Sequence, residues 1–306
     1  MIDIQKLSYG YGRRGALVFS DFSLRLDEGC LYGLLAPNGV GKSTLLCLIM
    51  GGLLPDKAKG GCVLVDGQPS ASRTHDVLRR LYLLPEEVAL PSVKFDTYVR
   101  TREPFYKDFS REVLDDCLCE FGLPQNPDIA SLSMGQRKKV AICFALATQT
   151  KYLLMDEPTN GLDIEGKGQF RRLMARHIGD GQTVVISTHL LADVATLLDH
   201  VVLLGRSADN GPARLLLDAS LTDIAAQYTF TLLPSNRASD SDVLYSERSA
   251  DGLRAILRRH ADDEESPVNL ELLYKYLVLS TANNNISTTN YTNCHADKNS
   301  FNSFNS

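Results

Sequence analysis

The stretch "GLLAPNGVGKST", Gly33 to Thr44, gathers two glycines, a lysine and two hydroxyl side chains into its last six positions. Gly39 and Gly41 remove side chains where a backbone could approach a ligand, and Asn38 through Thr44 can turn successive N–H groups toward one point. The helix that follows adds its positive end, so the arrangement suits phosphate oxygens. Lys42 would reach the β- and γ-phosphates of a nucleotide, and the Ser43 hydroxyl would ligate Mg²⁺. One letter departs from the phosphate-loop pattern, because Ala36 stands where glycine is usual. A positive φ there would cost alanine about 1 kcal/mol, whereas an extended backbone costs almost nothing. Ala36 marks the strand exit, and the harmless conformation is expected.

A second group completes this chemistry. "KYLLMDEP", Lys151 to Pro158, is an apolar run that ends in two acids. A buried strand would deliver them to the carboxyl edge of a sheet, where α/β folds bind ligands. Asp156 would hold Mg²⁺, mostly through water, and Glu157 would orient and polarise the attacking water.

Three further segments follow in order: "SLSMGQRKKV" (131–140), "TNGLD" (159–163) and "STHLL" (187–191). With the loop and the acidic strand end they resemble, over about residues 1–205, the nucleotide-binding domains of ATP-binding-cassette (ABC) proteins. The first resembles the S-G-G-Q signature with Met134 in its second place, the second the D-loop, and the third the switch-histidine segment. The resemblance implies an ATPase using ATP and Mg²⁺, in which two domains pack head to tail around the nucleotide. Pro37 through Thr44 would cradle it, while Ser133, Gly135 and Gln136 would meet the partner's γ-phosphate. His189 would hold the γ-phosphate and help Glu157 place water, and Asp163 would couple the two sites. Tyr11 matches the aromatic that stacks on adenine, with Tyr9 its near competitor. Glu86, in "YLLPEE", stands where the family often has glutamine, and its carboxylate could still contact Mg²⁺ or water.

The resemblance also implies a second, identical or paralogous cassette and a membrane-spanning permease, with this subunit peripheral at the cytoplasmic face of the membrane. "REPFYKDFSREV" and "NLELLYKYLVLS" are similar to ATPases of ABC-2-type export systems, although the first is also what an aromatic cluster packing a helical insertion would need. The competing reading is a soluble ABC ATPase acting on nucleic acid or ribosomes. Only about ninety residues separate Lys42 from Ser133, too few for a chromosome-type coiled coil. A third reading, a regulatory module without turnover, is disfavoured by Glu157 and His189.

The elements that must position these residues alternate strand and helix. "CLYGLLAP", "GCVLVDGQ", "KYLLMDEP" and "TVVISTH" read as strands, a helix follows the phosphate loop, and "MGQRKKVAICFALATQ" reads as another helix. "SREVLDDCLCEFGLP" reads as a helix capped by Ser110, and "LLADVATLLDHV" as another helix. The expected fold is α/β: a P-loop NTPase (RecA-like) parallel core with N-terminal antiparallel strands and a helical insertion near 86–150, together forming a domain over 1–218. Residues 219–281 read as a small α+β extension in which "TFTLLP" and "DVLYSE" are strands and "ADGLRAILRRH" and "NLELLYKYLVL" are helices. Residues 282–306, rich in Asn, Ser and Thr, are expected to be disordered.

Composition sets outer limits. A net charge of −5 and a pI near 5.7 leave no global basic footprint for nucleic acid. No run approaches the ~20 apolar residues of a membrane helix, and the N-terminus lacks the pattern of a signal peptide. The seven scattered cysteines suggest small buried hydrophobes in a reducing compartment and not metal ligands.

Overall fold

A continuously apolar strand is stable only where both of its faces are covered, and such strands occupy the centre of the main sheet. The computed structural model describes residues 1–12, 15–56, 59–206, 211–234, 242–260, 263 and 266–282. The Cα framework divides into two units, Met1–Arg214 and the chain from Leu215 onward.

The first unit carries β1 (Ile2–Gly10), β2 (Leu17–Leu26), β3 (Leu31–Leu35), β4 (Cys62–Val65), β5 (Gln68–Pro69), β6 (Leu81–Leu84), β7 (Tyr152–Asp156), β8 (Thr183–Thr188), β9 (His200–Arg206) and the head of β10 (Ala213–Ser220). Its helices are α1 (Lys42–Ile49), α2 (His75–Leu78), α3 (Phe95–Arg102), α4 (Arg111–Glu120), α5 (Met134–Ala147) and α6 (Ile164–His177). The strand order is β5-β4-β1-β2-β10-β9-β3-β8-β7-β6. β9, β3, β8, β7 and β6 run parallel, while β1, β2, β4 and β5 pair antiparallel. Every residue of β3, β7 and β8 is buried, so their carboxyl ends form a fixed edge on which side chains can be aimed. This mixed sheet with a parallel core is the P-loop NTPase fold that the sequence predicts.

The helical insertion is anchored by rings. Tyr82, Tyr98, Tyr106 and Phe109 lie 5.7, 5.2, 6.0 and 5.5 Å from the ring of Phe144 on α5. The "EPFYKDF" segment thus supplies two members of an aromatic cluster, while its Phe105 stays 60% exposed. Ser110 caps α4 by accepting a hydrogen bond from the Val113 N–H, as its position predicts.

"LLADVATLLDHV" departs from expectation. It forms two short 3₁₀ turns, Leu191–Asp193 and Ala195–Leu197, with no α-helix. The Asp193 carboxylate accepts from Thr159 at 3.1 Å and pairs with Lys167 at 2.8 Å, so long-range tethers override the local periodicity.

Asp66, just after β4, collects Arg80 at 2.8 Å, Lys151 at 3.0 Å, the Met1 amine at 2.8 Å and the Tyr152 hydroxyl. Burial alone would raise its pKa, but these donors outweigh burial and hold the carboxyl well below the usual carboxylate range. Asp66→Asn is expected to destabilise the fold by about 2 kcal/mol at neutral pH. Because the folded carboxyl titrates below its unfolded value of about 4, its contribution is complete above that pH and is lost as pH falls toward the folded value. Chemical denaturation should therefore show the gap between wild type and variant narrowing from about pH 7 to pH 3; a constant gap contradicts this account.

The second unit contains α7 (Leu221–Gln227), β11 (Tyr228–Leu233), β12 (Val243–Ser249), β13 (Gly252–Arg258) and α8 (Leu270–Ala282). Its sheet runs β11-β13-β12, antiparallel throughout. "ADGLRAILRRH", expected as a helix, is instead mostly the central strand β13. Leu253, Ala255 and Leu257 alternate onto one face and pack with Leu233 and Val243, a period-2 pattern that only a strand can satisfy here. The expected disordered tail lies outside the described residues, apart from Ala282 at the end of α8.

Candidate nucleotide site

Buried β3 ends at Leu35, and the chain turns through Ala36 to Gly41 before α1 begins. Gly39 and Gly41 have φ of 77° and 124°, left-handed conformations that favour glycine. Ala36 is fully buried and absent from the described non-glycine residues with positive φ, so the departure from the pattern carries no left-handed strain. No side chain caps α1 and no acid occupies its first turn, which leaves its first N–H groups without a side-chain acceptor. Such an end is an anion site.

One cleft of about 700 Å³ is lined by Tyr11, Pro37, Asn38, Gly39, Gly41, Lys42, Ser43, Thr44, Glu86, Glu157 and His189, together with Val18, Asn160 and Arg206. Loop, acid, histidine and tyrosine, separated by up to 178 positions in the chain, therefore face the same space. Tyr11 is 57% exposed and its hydroxyl lies 2.9 Å from Thr44 Oγ1, whereas Tyr9 is buried edge-on against it at 5.2 Å. Of the two candidate tyrosines, only Tyr11 lines the cleft.

The buried Lys42 ammonium donates to the Ala36 carbonyl at 3.0 Å and pairs with Glu157 Oε1 at 3.5 Å. The same carboxylate oxygen lies 2.9 Å from His189 Nδ1. Glu157 has φ 44°, uncommon for a residue with a side chain, and its N–H is tied to the Ser187 carbonyl at 2.9 Å. That twist turns the chain off β7 and sets the carboxylate between lysine and histidine.

Asp156 is buried one residue behind the cleft wall and accepts a hydrogen bond from the Ser187 hydroxyl. Glu86 Oε1 accepts from Asn160 Nδ2 at 2.9 Å. No cluster of three or more acid, histidine or cysteine ligands exists among the described residues. The donor set, hydroxyl and carboxylate oxygens in small number, fits Mg²⁺, which keeps several waters and shares substrate phosphates.

Ser133, Gly135, Gln136 and Asp163 are not part of this cleft wall. Ser133 caps α5 in a reciprocal box, accepting from the Gln136 N–H at 3.3 Å and donating its own N–H to Gln136 Oε1 at 3.0 Å. Met134 is 80% exposed, so the signature's odd residue disturbs no packing. Asp163 caps α6 through the Gly166 N–H at 2.8 Å, and beside it Ile164 is 92% exposed.

Sequence reading missed three groups. Asn160 sits inside the recognised "TNGLD". Arg206, at the end of β9, donates to the Gly39 carbonyl at 2.6 Å, and no local signal announces this. Lys138 is buried on α5 and donates to the Glu86 carbonyl at 2.9 Å. Burial pushes its pKa down, and the charges of Glu86, Asp156 and Glu157 oppose that fall.

A phosphate loop on a parallel sheet edge, facing a glutamate and a histidine, defines a nucleotide-binding P-loop protein. Residues 19–160 match the family described as ABC transporter. The hemin import ATP-binding protein HmuV of Thermobifida fusca is 30% identical over 247 residues, covering 78% of this chain and 86% of the relative. The Nod factor export ATP-binding protein I of Rhizobium etli is 29% identical over 225 residues, covering 71% and 70%. A solved ATP-binding subunit of an ABC transporter superposes with a TM-score of 0.63 at 26% identity, covering 73% of this chain and 91% of that one. The chain belongs to the ABC transporter family. It is an ATP-binding subunit, an ATPase of the kind coupled to transport.

Proposed function

We propose that this chain powers an exporter, working as one of two cassettes bound to a separate membrane-spanning permease at the cytoplasmic face of the membrane. The observation that carries the hydrolytic part of this reading is the convergence of Lys42, Glu157 and His189 in one cleft with the phosphate loop. ATP enters with its adenine on Tyr11 and its phosphates on the N–H groups of 38–44. Lys42 exchanges Glu157 for the β- and γ-phosphates, which releases the carboxylate to orient water. His189 keeps that carboxylate aimed and reaches the γ-phosphate. Ser43, Asp156 and Glu86 would hold Mg²⁺, which neutralises charge on the phosphates when bound. Ser133, Gly135 and Gln136 face the γ-phosphate of the opposing cassette, and the exposed Met134, Asp163 and Ile164 lie on the surface that cassette covers.

The export direction is supported by the likeness to Nod factor export protein I and by the similarity of "NLELLYKYLVLS", which forms most of α8, to ATPases of ABC-2-type export systems. Among the described residues no helix is long and apolar enough to cross a membrane. Affinity purification of the tagged chain from detergent-solubilised membranes should recover a polytopic membrane protein in an ATP-sensitive complex. Recovery of ribosomal or DNA-bound partners alone would overturn the transporter reading.

A further inference from the structure

Lys138 is the buried charge that the hydrolytic scheme leaves unused. It is 5% exposed on a helix whose neighbouring positions, Val140 to Ala147, are all buried and apolar. Burying an ammonium is costly unless its donors are met, and two of its three are: Pro85 O at 3.4 Å and Glu86 O at 2.9 Å. The segment it holds has little else. Beyond the sheet ladder, the hydrogen bonds that fix residues 85–90 among the described residues come from two side chains, Lys138 and Asn160. The first grips the backbone and the second grips the Glu86 carboxylate. Glu86 itself is solvent-exposed at the cleft, with no packing to define its place.

We propose that Lys138 is a positioning residue that locks the Pro85–Glu86 backbone to α5 and thereby keeps the Glu86 carboxylate at the nucleotide cleft. The inference rests on the reading of that cleft as the site of ATP hydrolysis. α5 starts at the Ser133 cap and passes through Lys138 little more than one turn later, so a shift of the helix start is carried to Glu86 through a single ammonium. A methionine at 138 would preserve the apolar stem and remove the donors; an arginine would preserve them.

In Lys138→Met, amide exchange across 85–92 of the nucleotide-free protein should accelerate about tenfold or more while the interior of α5 keeps its protection. The ATPase kcat should fall about tenfold with the KM for ATP changed less than about twofold, as expected for loss of an outer support. Lys138→Arg should restore both. In a Glu86→Ala background, Lys138→Met should add less than about a twofold further loss, because it acts through Glu86. An equal loss in both backgrounds, or unchanged exchange across 85–92, overturns the proposal. Should the methionine variant not fold, Lys138→Gln is read by the same criteria. A wild-type protein without ATP turnover would instead overturn the hydrolytic reading, and the exchange measurement would still decide the role of Lys138.

Discussion

Glu157→Gln should lower ATP turnover by about 10²–10⁴-fold while ATP binding survives. The change keeps size and shape, removes the negative charge and turns one acceptor oxygen into an NH₂ donor. In the wild-type protein that charge sits 2.9 Å from His189 Nδ1 and 3.5 Å from Lys42, held by a backbone that is itself pinned to Ser187. Glutamine in the same place can accept those contacts but cannot polarise water. The phosphate loop and Tyr11 are untouched, so ATP should remain bound and two cassettes should stay closed around it. Phosphate release and size-exclusion chromatography with ATP and Mg²⁺ measure both effects. Turnover within about threefold of wild type would sink the assignment of Glu157.

Gly41→Ala should be nearly as damaging, through binding. At φ 124° a Cβ on this residue would lie 2.6 Å from Val18 Cγ1 and 3.1 Å from Phe19 Cζ. Strain and overlap combine, so the loop must move at the point where α1 begins, and the N–H groups that face phosphate move with it. A loss of about 2–3 kcal/mol in stability and a 10–100-fold weakening of ATP binding are expected, readable by denaturation and nucleotide titration. Gly39→Ala separates the two causes. Its φ is 77°, but a Cβ there would meet nothing nearer than the flexible Arg206 guanidinium at 3.8 Å. In stability, no more than the backbone cost of about 1 kcal/mol should appear. Equal destabilisation by both variants would show that the packing of Val18 and Phe19 is not what demands glycine at 41.

What the sequence made legible was whatever chemistry fixes locally. The phosphate loop, the acidic strand end and the Ser110 cap depend on neighbours a few residues away, and all three stand where their spacing puts them. Tyr11 was preferred to Tyr9 only through the match to the family pattern, because a β1 residue and the residue just beyond its end differ in exposure and not in type. β13 was misread because Leu, Arg and Ala suit a helix. The Asp251-Gly252 pair, with Gly252 at φ 136°, was the turn signal that pointed to a hairpin. The turns at 191–197 and the contacts of Arg206 and Lys138 were out of reach. Each depends on a partner between 22 and 167 positions away, and no period or motif encodes such a pairing.

The ring cluster around Phe144 makes the helical insertion mechanically stiff. Rings from β6, α3 and the 103–109 segment close on one side chain of α5, and packed rings leave no free volume to absorb a displacement. A displacement of those rings is therefore passed to α5, whose other end is the turn that begins at Ser133.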